Sequence, residues 1–396
     1  MKFNFDEIID RRDSNSLKWD VNKNELPMWV ADMDFRTAPK IIEEVLKCAQ
    51  KGIYGYSVVT EKWYEAIINW WKTRYDFDIE KQWLQFSVGS MAAVIVSVQR
   101  LSNMGDNVVV QTPVYNAFFN SIENHGRHVL ENKLIYNGNS YSIDFYDLEE
   151  KLSNPLTTLM ILCNPHNPVG KIWSCEELHK IGELCKKYGV TVVSDELHCD
   201  LTDPGCKYIP FASVSDTCKD ISVTCISTSK SFNLAGLQSA AVVIPNEFLR
   251  DKMVRGLNSN EMAEPNIFAV SGAAAAYTYG GDWIDELRKY IYNNKVIVNE
   301  FLTKEIPDIT LTQSNATYLL WINCQKVSSN VSELCKFIRK NTGLYLSDGA
   351  IYRGNGSEFV RMNIACPKDT LLDGLSRFKQ GIVAYKSLEK NENIPQ

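Results

Sequence analysis

The chain has 396 residues, enough for two or three domains with a substantial buried core. Forty-two Lys and Arg against 48 Asp and Glu leave a net charge of −6, which argues against nucleic acid as the main partner. Apolar content of 45% and charged content of 23% exclude a disordered or fibrous chain. The longest apolar runs, Ala92–Val96 and Ala240–Ile244, fall far short of the ~18 residues a membrane span needs, and the charged stretch Met1–Ser14 shows no secretory signal.

In chain order, Met91, Val94, Ile95, Val98 and Leu101 form the stripe of an amphipathic helix. Gly105-Asp106 ends it, and Val108–Gln111 reads as a buried strand. His125 and His128 stand at helical i, i+3 spacing, but no third ligand is marked out nearby and no metal is expected. Thr157–Cys163 reads as a strand that opens into the loop Asn164-Pro165-His166-Asn167-Pro168-Val169-Gly170. Ser174 and Glu177 form a capping box for a helix whose core face is Leu178, Ile181, Cys185 and Tyr188, stopped at Gly189. With the strand Val190–Ser194 this completes a βαβ unit.

Strands are expected at Ile221–Ile226 and Ser239–Ile244, flanking Ser227-Thr228-Ser229-Lys230. Beyond residue 290 the rhythm becomes α+β, with a helix at Tyr290–Leu302, strands at Ala316–Ile322 and Phe359–Ile364, and a helix at Ser332–Lys340. The last ten residues read as a polar tail. The expected architecture is α/β, a large domain with a mostly parallel mixed sheet plus a smaller α+β C-terminal domain. The boundaries fall at 1–48 (an N-terminal segment packing with the small domain), 49–289 (the large domain) and 290–396. Eleven cysteines, with no C-x-x-C, point to reduced thiols and a cytoplasmic location.

Ligands of open α/β sheets bind beyond the carboxyl ends of the strands. Gly89-Ser90-Met91, Asn167, Asp195 and Lys230 all fall at such ends. A helix N-terminus suits a phosphate, a lysine amine suits an aldehyde, and a carboxylate suits a protonated ring nitrogen. Together they ask for an anionic, electrophilic ligand, a description that pyridoxal 5′-phosphate fits.

Ser227-x-Ser229-Lys230-x-Phe232-Asn233, Ser194-Asp195-Glu196-Leu197-His198 and Asn164-Pro165-His166-Asn167-Pro168-x-Gly170 resemble signature segments of fold-type I pyridoxal-phosphate enzymes. Asn167 and Asp195 are 28 residues apart, and Asp195 and Lys230 are 35 apart, as that family also spaces them. Leu26–Phe35, Gly55-Tyr56-Ser57, Thr112-Pro113-x-Tyr115-x-x-Phe118 and Phe359-Val360-Arg361-Met362-Asn363 narrow the resemblance to the MalY/PatB branch of cystathionine β-lyases, the C–S lyases.

That resemblance implies a role for each residue. Lys230 would hold the cofactor aldehyde and later move the substrate Cα proton. Asp195 would pair with the ring nitrogen, Asn167 with the ring oxygen, and Tyr115 would stack on the ring. Ser90, Met91, Ser227 and Ser229 would hold the phosphate, joined by Tyr56 from the partner of a homodimer with shared sites. Arg361 would clamp the substrate carboxylate, with Asn167, Trp29 and Ala31 beside it and Asp32 shaping the entrance. His198 stands where related aminotransferases carry a tyrosine, and its role is read equally as cofactor contact or buried hydrogen-bonded histidine. Gln238 replaces a phosphate-binding arginine of those enzymes. The implied reaction is α,β-elimination of L-cystathionine and related cysteine S-conjugates to a thiol, pyruvate and ammonia. The alternatives are a pyridoxal-phosphate aminotransferase or a cofactor-binding regulatory protein.

Overall fold

The computed structural model describes residues 2–392. Its centre is a seven-stranded sheet in the order Leu84–Ser87, Ala240–Val243, Ser222–Ile226, Thr191–Asp195, Thr157–Cys163, Asn107–Thr112 and His128–Lys133. Every pairing is parallel except those of Ala240–Val243, which runs antiparallel to both neighbours. The sheet is therefore mixed and mostly parallel.

Both faces of this sheet are covered, which is why its strands read as unbroken apolar runs rather than as alternation. Successive residues of Thr157–Cys163 enter opposite cores. Met160 and Leu162 pack with Leu178, Ile181 and Cys185 of the helix Cys175–Lys187. Leu159, Ile161 and Cys163 pack with Ala93 and Val94 of the helix Ser90–Leu101 and with Met253 and Leu257. The Ser174–Glu177 capping box is present in both directions, and Glu176, Glu177, Lys186 and Lys187 complement the helix dipole at its two ends.

A second, antiparallel sheet of four strands runs in the order Thr310–Leu311, Leu319–Asn323, Phe359–Asn363, Ser347–Asp348. The N-terminal segment joins this side of the molecule, since Leu26–Pro27 pairs in parallel with Leu344–Tyr345.

Several elements differ from the sequence reading. The strand expected at Ala316–Ile322 begins at Leu319, because Thr317 takes a left-handed φ of 67° and Ala316 bridges to Thr202 instead. The helix expected at Tyr290–Leu302 spans Gly281–Glu305. Tyr188 is the half-buried C-cap of its helix and packs against the edge of the same core as Leu178, Ile181 and Cys185. Of the polar tail, residues up to Glu392 continue the helix Lys368–Glu392, and 393–396 lie outside the described residues. His125 and His128 share no helix: the helix Ala117–Glu123 ends before them, Gly126 turns the chain at φ 74°, and His128 opens a strand. Among the described residues there is no cluster of His, Cys, Asp and Glu fit for a metal, and no helix long and apolar enough to cross a membrane.

Candidate active site

Parallel strands that end on one edge deliver the loops that follow them to one place. Here those loops and a strand of the smaller sheet enclose a cavity of about 390 Å³. Val88–Ala92 reach it from the first strand, Tyr115 from the loop after Asn107–Thr112, and Cys163 and Asn167 from the end of Thr157–Cys163. Asp195 ends its own strand with Leu197 and His198 following, and Ser227, Ser229 and Lys230 follow Ser222–Ile226. Arg361 enters from the middle of Phe359–Asn363, opposite Trp321 and Ser347.

Along one wall of the cavity, Gly89 precedes the helix Ser90–Leu101 in an extended conformation, with no side chain capping the first turn. The opening N–H groups of that helix are therefore left for an anion, and the helix dipole favours one there. Ser227 accepts from the Ser229 N–H at 3.0 Å and donates to the Ser239 carbonyl at 2.7 Å, while the buried Ser239 Oγ has no partner.

At the reactive centre, the Lys230 Nζ donates to the Ala31 carbonyl at 2.7 Å. Burial pulls its pKa down to about 8; Arg361 adds to the fall, while Asp32 and Asp195 oppose it. Asp195 is buried with its Oδ1 unpartnered, and burial pushes its pKa up to about 7 against the pull of the Leu197 N–H and Lys230. Burial also holds the Tyr115 hydroxyl above its ordinary value. His198 is buried with its Nδ1 unpartnered, and burial, Lys230 and Arg361 bring it down to about 3, so it is a neutral imidazole.

Arg361 is 5% exposed. It donates to Asn167 Oδ1 at 3.2 Å and to the Trp29 carbonyl at 2.9 Å, and lies 4.9 Å from the Tyr352 ring centre. Its Nε is buried without a partner. A buried guanidinium with an unused N–H is ready for a carboxylate, which guanidinium geometry binds in a bidentate way.

These unpaired groups fit the expected cofactor and substrate. The open helix N-terminus and serine hydroxyls suit a phosphate, Asp195 Oδ1 suits a ring N–H, and a lysine near pKa 8 suits an aldehyde. Of the expected site residues, Ala31, Ser90, Met91, Tyr115, Asn167, Asp195, His198, Ser227, Ser229, Lys230 and Arg361 line this one cavity. Trp29 contributes its carbonyl to Arg361, while its ring stacks on Tyr345 at 5.1 Å. Tyr56 is fully exposed and does not line the cavity of its own chain.

Sequence reasoning missed Ser239 and Cys163. Cys163 was readable from the strand-end rule. Ser239 was not: it precedes a strand, and it meets the site only because that strand is reversed.

Comparison with known proteins shows the family. Residues 18–378 match the family model for aminotransferase class I and II. The chain is 44% identical over 386 residues to the cystathionine β-lyase PatB of Bacillus subtilis, covering 96% of this chain and 100% of that protein. It is 30% identical to the protein MalY of Escherichia coli, covering 97% and 100% respectively. Cystalysin from Treponema denticola, whose structure contains a pyridoxal 5′-phosphate cofactor, matches with a TM-score of 0.94 at 29% identity over 97% of this chain and 100% of that one.

Proposed function

Because the chain belongs to the aminotransferase class I and II family, we propose that it is a pyridoxal-phosphate-dependent carbon–sulfur β-lyase of the cystathionine β-lyase type. The meeting, in one cavity, of Lys230, the unpaired Asp195 oxygen and the unpaired Arg361 Nε supports the cofactor dependence, and the observation that carries elimination over transamination is the 44% identity to a cystathionine β-lyase over nearly the whole chain. When bound, pyridoxal phosphate supplies an electron sink conjugated with the substrate Cα.

The chain's own residues do the rest. Helix Ser90–Leu101 presents its first N–H groups to the phosphate, with Ser227 and Ser229 beside them. Asp195 would keep the ring nitrogen protonated, and Tyr115 would cover the ring. Asn167 and His198 sit at the cavity wall as uncharged hydrogen-bonding groups. Arg361 gives up the Asn167 contact or adds its free Nε to grip the substrate carboxylate. The Lys230 amine would take the substrate Cα proton, a task suited to a base with pKa near 8. The Cβ–S bond then breaks, the electron pair leaves with sulfur, and the thiolate takes a proton. The released 2-aminoacrylate hydrolyses to pyruvate and ammonia.

A distal carboxylate, as in a dicarboxylic amino acid, would need a second cation, and among the described residues no second arginine lines the cavity. Arg353 is paired with Glu123 and Glu131, and Arg255 is exposed on the helix Glu247–Ser259. The thioether end of the substrate is therefore held loosely, which favours a range of cysteine S-conjugates.

The same proposal includes a homodimer in the cytoplasm, with residues 49–289 as the cofactor-binding part and 290–396 with 1–48 as the smaller part. The exposed apolar run around Tyr56 supports the dimer, and eleven free cysteines support a reducing compartment. The deciding experiment is incubation with L-cystathionine. Pyruvate and thiol should appear in equal amounts without any added 2-oxo acid. Turnover that requires a 2-oxo acid and yields a new amino acid would assign the chain to transamination instead.

A further inference from the structure

Five consecutive backbone carbonyls next to the cavity, from Trp29 to Met33, each accept a hydrogen bond from a side chain. Trp29 receives Ser347 Oγ at 2.8 Å and Arg361 at 2.9 Å. Ala31 receives the Lys230 amine at 2.7 Å. Met33 receives Arg11 at 2.8 Å and Asn233 at 3.0 Å. The two carbonyls between these, Val30 and Asp32, share the Asn363 carboxamide, whose Nδ2 donates to them at 2.6 and 2.7 Å, and Asp32 also receives the Lys18 amine at 3.1 Å.

That arrangement braces a turn. The Asp32 N–H donates to the Val30 carbonyl at 2.9 Å, which closes a three-residue turn with Ala31 at its centre. Asn363 spans the same turn from outside, and both protons of its Nδ2 are used. Its Oδ1 accepts from the Ala365 N–H at 2.8 Å, and its own N–H donates to Met28 at 2.8 Å. The side chain is 1% exposed and makes every hydrogen bond a carboxamide needs for rigidity. It touches neither the cavity nor solvent.

We propose that Asn363 is a positioning residue for both ends of the substrate site. By bracing the turn at Ala31 it fixes the carbonyl that receives the Lys230 amine and, two residues earlier, the carbonyl that steadies Arg361. The inference rests on the proposed roles of Lys230 and Arg361. Its consequence is specific: the lysine amine freed when substrate binds has a bonded resting place instead of a range of rotamers, and that place is tied to the residue that grips the carboxylate.

The test compares wild type with Asn363→Ala and with Asn363→Ser, which keeps an acceptor for the Ala365 N–H and disturbs packing less. Cofactor-free proteins are labelled with acetic anhydride at graded pH, and the label on Lys230 is followed by mass mapping. A carbonyl acceptor favours the ammonium form, so a displaced Ala31 carbonyl should lower the pH midpoint of Lys230 labelling by about half a unit. In the holoenzymes kcat should fall on the order of tenfold and KM should rise, as expected for misplaced groups. Variants that melt earlier yet keep the wild-type midpoint, kcat and KM would reduce Asn363 to a structural residue and overturn the proposal alone. Failure of wild-type Lys230 to take up pyridoxal phosphate, shown by borohydride reduction on another lysine, would overturn the site reading and this proposal with it.

Discussion

At the scale of single residues, burial tunes the chemistry of the site. Asp195 and Lys230 line the same cavity, and desolvation drives each toward its neutral form. The effect on Asp195 has a sign that can be checked in the cofactor-free protein. Its pKa rises from 3.8 to about 7 on folding, so between these values the folded chain holds a proton that the unfolded chain has released. Stability from this group is complete below about pH 4 and declines as pH rises through 7. Asp195→Asn keeps the shape without the charge. Its melting temperature should therefore match the wild type at pH 4 and exceed it at pH 8, as thermal melts at the two values would report. Activity should move the opposite way. An amide cannot keep the ring nitrogen protonated, and the loss should approach the ~10⁴-fold known for removal of an orienting carboxylate. A variant with near-normal kcat would assign that proton to another acid.

Elements with strong local chemistry behave differently from those fixed by distant contacts. The helix Cys175–Lys187 is defined by its own residues, so Ser174→Ala should cost about 1 kcal/mol in denaturant titration and leave kcat unchanged. A loss much below that would mean the end of the helix is held by packing alone. The same local completeness made this helix, the strand Thr157–Cys163 and the start of Phe359–Asn363 readable from the sequence. Where a boundary is set by a partner far along the chain, the sequence is silent. Thr317 turns left-handed because Ala316 and Asn315 bond the Gly170 carbonyl. Gly170 at φ 69° leaves no room for a Cβ, which would lie 2.5 Å from Ser314. The strand-end positions of the cavity were legible because parallel strands put their following loops on one edge. Ser239 was not, since the direction of its strand is a tertiary property. Nor was the bracing contact of Asn363, whose motif was visible but whose partners lie some 330 residues away.

At the scale of the whole molecule, one expected residue has no work in its own chain. Tyr56 is fully exposed, in a stretch without helix or strand that also exposes Ile53, Tyr54 and Val58. Such a cluster of large apolar side chains on a surface marks a contact with another molecule. A second copy is the economical partner, because a two-fold axis would bring each copy's Tyr56 to the other's cavity by the same contact. The phosphate end of that cavity offers helix N–H groups and serine hydroxyls but no arginine, since Gln238 lies where one would help. A tyrosine hydroxyl from outside would add a donor there. Two kinds of defect should therefore complement each other. In the proposed dimer, Tyr56→Ala would damage the site of the partner, and Lys230→Ala would damage its own. In a hybrid dimer one site inherits both defects and the other inherits neither. After unfolding and joint refolding, random exchange should restore about a quarter of the wild-type activity, since half of the dimers are hybrids with one intact site. Each variant refolded alone should stay inactive. Mixtures that form hybrids, shown by a mass tag on one variant, yet recover nothing would mean that each chain completes its own site and that the exposed run around Tyr56 serves assembly only.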